Sequence, residues 1–193
     1  YISRDENSLS RQRAILREGV YAINPALFVV ITEEHVHALS EGFLQSEAVQ
    51  LKQWAELLKL ADGFTPVVVG GSLKAPDPLH PEFEQTVDSI AIVTVHDGPS
   101  LDPGEIIAPP VATLPGEPHY HNNFQDPEAF LTAGGRRGRQ YQALTDGTYF
   151  LNHWFATAQM IPKTVVPIGY VGVVVSYYGK AGRDLSGATF RHG

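Results

Sequence analysis

Two pairs of histidines are the first residues in this chain with the spacing for chemistry. His35-Val36-His37 and His119-Tyr120-His121 each set two imidazoles two residues apart. On a strand that spacing places both rings on one face, within reach of a single ion. A metal centre needs a third ligand, and Glu33 or Asp126 is the nearest candidate. No HExxH follows, no cupin-type Glu and Gly stand downstream, and there is no cysteine. Thiolate ligands, disulfides and cysteine nucleophiles are therefore excluded. The histidines read as surface or hydrogen-bonding groups, with no metal and no other cofactor expected. The competing enzyme class would need the two pairs, or one pair and an acid, to converge.

The second cluster is basic. "GGRRGRQ" (Gly134–Gln140) sets Arg136, Arg137 and Arg139 among glycines whose amides can face an anion. It is neither a Walker loop nor a GxGxxG after a strand. It reads either as a solvated helix-to-strand loop with one arginine bridging to an acid, or as a contact with anionic lipid headgroups or a neighbouring subunit. There is no GxSxG. Asp97, Asp102 and Asp146 fall at turn positions, which already explain them. No catalytic constellation emerges, so the expectation is a protein that is not an enzyme.

The elements that must position these groups repeat. "RQRAILREGVYAIN" (Arg11–Asn24) and "RQYQALTDGTYFLN" (Arg139–Asn152) share Arg, Gln, Leu, Gly, Tyr and Asn at the same spacings. Each predicts a hairpin, turning at Glu18-Gly19 or Asp146-Gly147, with Tyr21 and Ile23, or Tyr149 and Leu151, alternating on one face. A second echo pairs "IAIVTVHDG" (Ile90–Gly98) with "VGVVVSYYG" (Val171–Gly179), two β-branched runs closed by glycine that predict buried strands. Each module is thus hairpin, connector and buried strand. The connector from Asn24 to Asp88 is longer than that from Asn152 to Gly169 by an insert. Leu51, Ala55 and Leu58 recur there at helical spacing, with Ser46 as N-cap and Asp62-Gly63 as stop. "PVVVGG" (Pro66–Gly71) predicts a short strand, and "KAPDPLHPEF" a Pro-rich loop. Asp126 as N-cap, Pro127 and Gly134 bound a short helix.

The expected fold class is α+β and β-rich, with duplicated β modules, a helical insert and a short linking helix. Residues 1–98 form the first module with its insert at about 40–70, 99–125 a stiff Pro-rich linker, and 126–193 the second module. The length of 193 residues suffices for a core, and a composition of 43% hydrophobic and 18% charged residues is that of a globular protein. A net charge of −7 argues against nucleic acid as a partner. No apolar run reaches membrane-spanning length. The chain starts at Tyr1 without Met and reads as a piece of something longer.

The motifs resemble the SPFH (band 7) superfamily of stomatin-, prohibitin- and flotillin-like proteins. The resemblance lies in "REGVYAINPALF" (Arg17–Phe28), "TDGTYFLNHWF" (Thr145–Phe155) and "VPIGYVGVVVSYYGK" (Val166–Lys180). The run from Asn122 to Asn152 is similar to the bacterial flotillin-like branch; His153 stands where proline is usual. The resemblance covers most of residues 11–31 and 88–193. It implies a membrane-associated, non-enzymatic scaffold that assembles with copies of itself into a large homo-oligomer, organising membrane patches and client membrane proteins. It also implies an anchor ahead of Tyr1 and a coiled coil beyond Gly193. The alternative class is a soluble peptide- or carbohydrate-binding β module using Trp154, Tyr177 and Tyr178.

Overall fold

A computed structural model describes residues 2–3, 11–39 and 45–179. The fold is α+β and rich in strand. Four short strands come first: β1 (Ile2–Ser3), β2 (Arg11–Gln12), β3 (Val30–Ile31) and β4 (Val36–His37). They are followed by helix α1 (Gln45–Leu60) and strands β5 (Val67–Val69), β6 (Ser72–Pro76) and β7 (Glu84–Val95). Helix α2 (Pro127–Thr132) precedes β8 (Gly138–Leu144), β9 (Gly147–Tyr149) and β10 (Ala156–Pro162). Among the described residues no helix is long and apolar enough to cross a membrane.

β7 is the axis of the main sheet. Side chains alternate along a strand, so Ala91, Val93 and Val95 share one face, and all three are buried. β10 and β8 both run antiparallel to this half of β7, enclosing it between them. Ala156 lies opposite Val95, and Leu144 opposite Ala91, with a bulge between Ile92 and Thr94. β6 pairs antiparallel with the first half of β7, from Pro76 opposite Glu84 to Ser72 opposite Asp88. The buried face is capped by three phenylalanines. Phe124 and Phe130 lie 5.5 Å apart, and Phe130 and Phe155 5.7 Å apart, in tilted and edge-to-face contacts.

Both helices end as their sequences direct. At the end of α1, Gly63 donates to the Leu58 carbonyl and Asp62 to that of Lys59, a Schellman pattern with Asp62 in the left-handed region at φ 51°. The helix starts at Gln45, one residue before the expected cap Ser46, whose side chain lies outside the described residues. α2 is capped by Asp126, which accepts from the Ala129 amide at 2.9 Å. Gly134 takes the left-handed position that closes it, at φ 89°.

Four expectations are corrected. Asp146-Gly147 does not close a hairpin: β8 pairs with β7, whereas β9 crosses to β5, with Val67 opposite Tyr149. In the first copy only Arg11–Gln12 is strand, paired in parallel with β1. The run Val171–Gly179 is not a strand and is not buried; Val173 is 89% exposed. β-branched residues favour a strand only where neighbours cover them, and no strand pairs with this segment among the described residues. β7, ahead of residues 99–125, pairs with β8 and β10, which follow them. Lastly, the Pro-rich stretch begins as strand: Lys74–Pro76 belong to β6, and the loop is confined to residues 77–83.

The two repeated segments nevertheless share one set of corner hydrogen bonds. Tyr149 Oη donates to the Thr145 carbonyl at 2.9 Å, and Tyr21 Oη to the Arg17 carbonyl at 3.0 Å. The Asn152 side chain accepts from the Trp154 amide, and Asn24 from the Ala26 amide. The Asn152 carbonyl takes the amides of Phe155 and Ala156, and the Asn24 carbonyl those of Leu27 and Phe28. The shared motif thus encodes a tyrosine-pinned corner. Its glycine makes room for the ring: a Cβ on Gly147 would lie 3.0 Å from Tyr149 Oη, and one on Gly19 3.3 Å from the Tyr21 ring.

Candidate functional site

The basic loop is tied down in two of its three arginines. Arg136 donates to Asp102 Oδ1 at 2.5 Å and to the Ser100 carbonyl at 3.2 Å. The hydrogen bond to Asp102 holds its pKa above the ordinary guanidinium value. Arg137 donates to Ser100 Oγ at 2.5 Å. Arg139 is exposed, and its backbone carbonyl accepts from Ala108. Gln140 is buried beneath the loop and donates to the carbonyls of Arg136 and Gly138, at 2.8 Å each. The loop is therefore braced through Arg136 and Arg137, with Arg137 and Arg139 exposed, and the amides of Gly134, Gly135 and Arg137 donate to the carbonyls of Leu131, Phe130 and Pro99.

The histidine pairs separate into different environments. His35 is exposed, and its ring lies 6.0 Å from that of His37. His119 is exposed, but His121 is fully buried. His121 Nε2 lies 2.9 Å from the Val111 carbonyl, and Nδ1 accepts from the Phe124 amide at 2.8 Å. These partners assign a neutral ring protonated at Nε2, leaving neither nitrogen open to a metal. Burial drives its pKa below the usual imidazole value. Asp126 is occupied as the cap of α2. Among the described residues no group of three His, Asp or Glu is gathered to hold an ion. His121 instead locks an unusual turn. Asn122, Asn123 and Phe124 are successive left-handed residues with φ of 46°, 55° and 66°. Asparagine tolerates that region, but phenylalanine there costs about 1–2 kcal/mol.

The carboxylates expected as turn residues each meet a cation. Asp97 pairs with Arg13 at 2.7 Å, Asp102 with Arg136, and Asp146 with Lys163 at 3.0 Å. The first of these belongs to a junction that inspection of the sequence missed. Arg13 also reaches Glu128 at 2.8 Å, and its side chain is nearly buried. Burial opposes its charge, but the hydrogen bonds and charges of Glu128 and Asp97 prevail and raise its pKa. Asn152 Nδ2 donates to the carbonyls of Gln12 and Arg13, at 3.1 and 2.9 Å. Arg17 donates to Gln125 Oε1 and lies 4.4 Å over the Phe150 ring. Arg11 sits 5.4 Å from Trp54 and 5.2 Å from Trp154, whose rings meet edge-on at 5.9 Å.

Arg11, Arg17 and Asn152 therefore join the first segment to the second corner, and Arg13 ties it to Asp97 and Glu128. Arg13 and Arg17 lie inside the repeated segment, where the second copy has Tyr141 and Thr145. That divergence was the available sign that the first copy faces a different neighbour. A shallow cleft of about 250 Å³ opens beside the junction, lined by Arg13, Gly98, Pro99, Glu128, Leu131 and Thr132. A second depression follows Val49, Lys52, Gln53, Glu56 and Leu57 along α1. Of the aromatics considered for ligand binding, Trp154 is engaged by Trp54 and Arg11, and Tyr178 by Tyr141. Tyr177 is exposed. Comparison with family models, with curated proteins and with solved structures finds no match.

Proposed function

We propose that this chain is a membrane-associated, non-enzymatic scaffold of the SPFH type, built from duplicated modules, that assembles with copies of itself and organises a patch of membrane and its client proteins. One observation carries the proposal. Two segments of like sequence adopt the same corner, and one is seated on the other through Asn152, which donates to the carbonyls of Gln12 and Arg13. A unit that packs on its own kind presents surfaces for further units, which is how repeat architectures extend. The glycine, tyrosine and asparagine that make the corner are also the residues that carry the resemblance to the superfamily.

Membrane contact on this reading is weak for a single copy. Arg136, Arg137 and Arg139 are the contact to anionic lipid or a neighbouring subunit, and two of them are already braced against Ser100 and Asp102. A net charge of −7 opposes approach to an anionic surface, and salt screens the local attraction. Many copies together add such contacts through effective concentration. The test is sedimentation velocity of the chain, with electron microscopy in the presence and absence of phosphatidylserine vesicles. Regular homo-oligomers that gather on the vesicles are expected. A monomer that ignores the vesicles at tens of micromolar overturns the proposal.

A further inference from the structure

We propose that Val171–Ser176 of one copy inserts as a strand against Arg11–Leu16 and Val29–Thr32 of a second copy, completing a module that each chain carries in two halves. The inference rests on the self-assembly reading above and adds its interface and register.

The complete module is the sheet in which β7 is enclosed between β8 and β10. By sequence, Val171–Gly179 answers to the Ile90–Gly98 segment of β7, and Arg11–Phe28 answers to β8 and the corner after it. Residues that are core in the complete module are exposed in the two halves. Leu144 is 1% exposed and its counterpart Leu16 47%; Phe155 is 0% and its counterpart Leu27 73%. Val93 is 0% exposed and its counterpart Val174 90%. Leu16, Leu27 and Val174 are thus uncovered among the described residues, while Ser176 and Phe28 stand at the positions of buried Val95 and Ala156.

Contacts already made support the correspondence. In the junction Arg13 pairs with Asp97. The counterparts of those two residues are Tyr141 and Tyr178, and their rings meet at 4.8 Å. The Val171–Gly179 segment is therefore seated on the complete module as the complete module is seated on the first corner. Likewise β1 runs parallel to β2, as Ala108 runs parallel to Gln140 of β8. The two halves are held against the complete module through different residues, Arg13 to Asp97 on one side and Tyr178 to Tyr141 on the other. A second copy supplies the missing half without breaking either contact. The resulting interface is heterologous and propagates from copy to copy, as rings and filaments require.

The observed pairing fixes the register. Ile92 opposite Ala143 and Ala91 opposite Leu144 transpose to Val173 opposite Ile15 and Gly172 opposite Leu16. Ala158 opposite Val93 transposes to Val30 opposite Val174. Directly opposed residues of an antiparallel pair have Cα atoms about 4.5–5.5 Å apart, within disulfide range.

The chain has no cysteine, so Ile15→Cys and Val173→Cys can be made in separate chains, mixed and mildly oxidised. A disulfide-linked heterodimer that forms in the mixture and in neither chain alone is expected. Val174→Asp should weaken self-association roughly tenfold or more, because the charge would enter a core position, while leaving the urea midpoint unchanged at concentrations too dilute for assembly. Val20→Asp, at a fully exposed position whose counterpart Thr148 is also exposed, should leave association intact. A chain that assembles without the Ile15–Val173 link overturns this inference and leaves the self-assembly proposal standing. A monomeric chain overturns both. Closure of the doubly substituted chain on itself as a monomer places the pairing within one copy and overturns the inference.

Discussion

Acidification below about pH 6.5 should destabilise this protein through His121. The ring is buried between Phe124 and Phe130 at centroid distances of 4.8 and 5.2 Å. Its Nδ1 is used as an acceptor by the Phe124 amide, and protonation removes that acceptor. Burial lowers the folded-state pKa below the unfolded reference of about 6.5. The sign follows from proton counts. Below that reference the unfolded chain binds a proton that the folded chain resists, so stability is full above about pH 6.5 and falls with pH until the folded pKa is reached. One proton corresponds to a slope of about 1.4 kcal/mol per pH unit. His153 adds a second contribution of the same sign, because burial lowers its pKa and its Nδ1 has no hydrogen-bond partner. The two together approach about 2.7 kcal/mol per unit. The assay is urea unfolding followed by the fluorescence of Trp54 and Trp154, at pH 7.5 down to 5 and constant ionic strength. His121→Asn keeps an acceptor for the Phe124 amide and removes the titration. It should cost about 2–4 kcal/mol at pH 7.5, from lost ring packing and an orphaned Val111 carbonyl, and should show roughly half the wild-type pH slope. A wild-type stability that is flat over this range, or an unchanged slope in His121→Asn, would refute the reasoning.

Other outcomes follow from the same structure. Gly135→Ala should lower stability by about 1–3 kcal/mol in thermal unfolding, because its Cβ would lie 2.3 Å from the Phe130 ring. Val93→Ala should cost about 1–3 kcal/mol, whereas Val173→Ala in the monomeric chain should shift the urea midpoint by less than about 0.5 kcal/mol, as surface changes do. Tyr149→Phe should cost about 1 kcal/mol for its corner hydrogen bond, and Tyr21→Phe, at the exposed corner, less. Arg13→Ala should cost about 1 kcal/mol at low salt and less at high salt, since Glu128 is partly solvated and can rehydrate.

Local interactions were legible in the sequence, and partners were not. The stops of both helices, the cap at Asp126 and the strand Val67–Val69 follow from capping and turn chemistry that operates within a few residues. The repeated glycine, tyrosine and asparagine likewise specify the same corner twice, because their hydrogen bonds close within four residues. Only the tertiary structure decided that β8 and β9 part to different sheets, and that β7 joins strands across the Pro-rich stretch. The same holds for the valines: those at 93 and 95 are core, while those at 173 and 174 face solvent. Alternation and β-branching describe a strand that wants covering, and whether a neighbour covers it depends on contacts far away in the chain. His121 shows the same division at one residue. Its spacing from His119 suggested a ligand, but the carbonyl of Val111, the amide of Phe124 and two phenylalanine rings, brought together by folding, made it a neutral structural group.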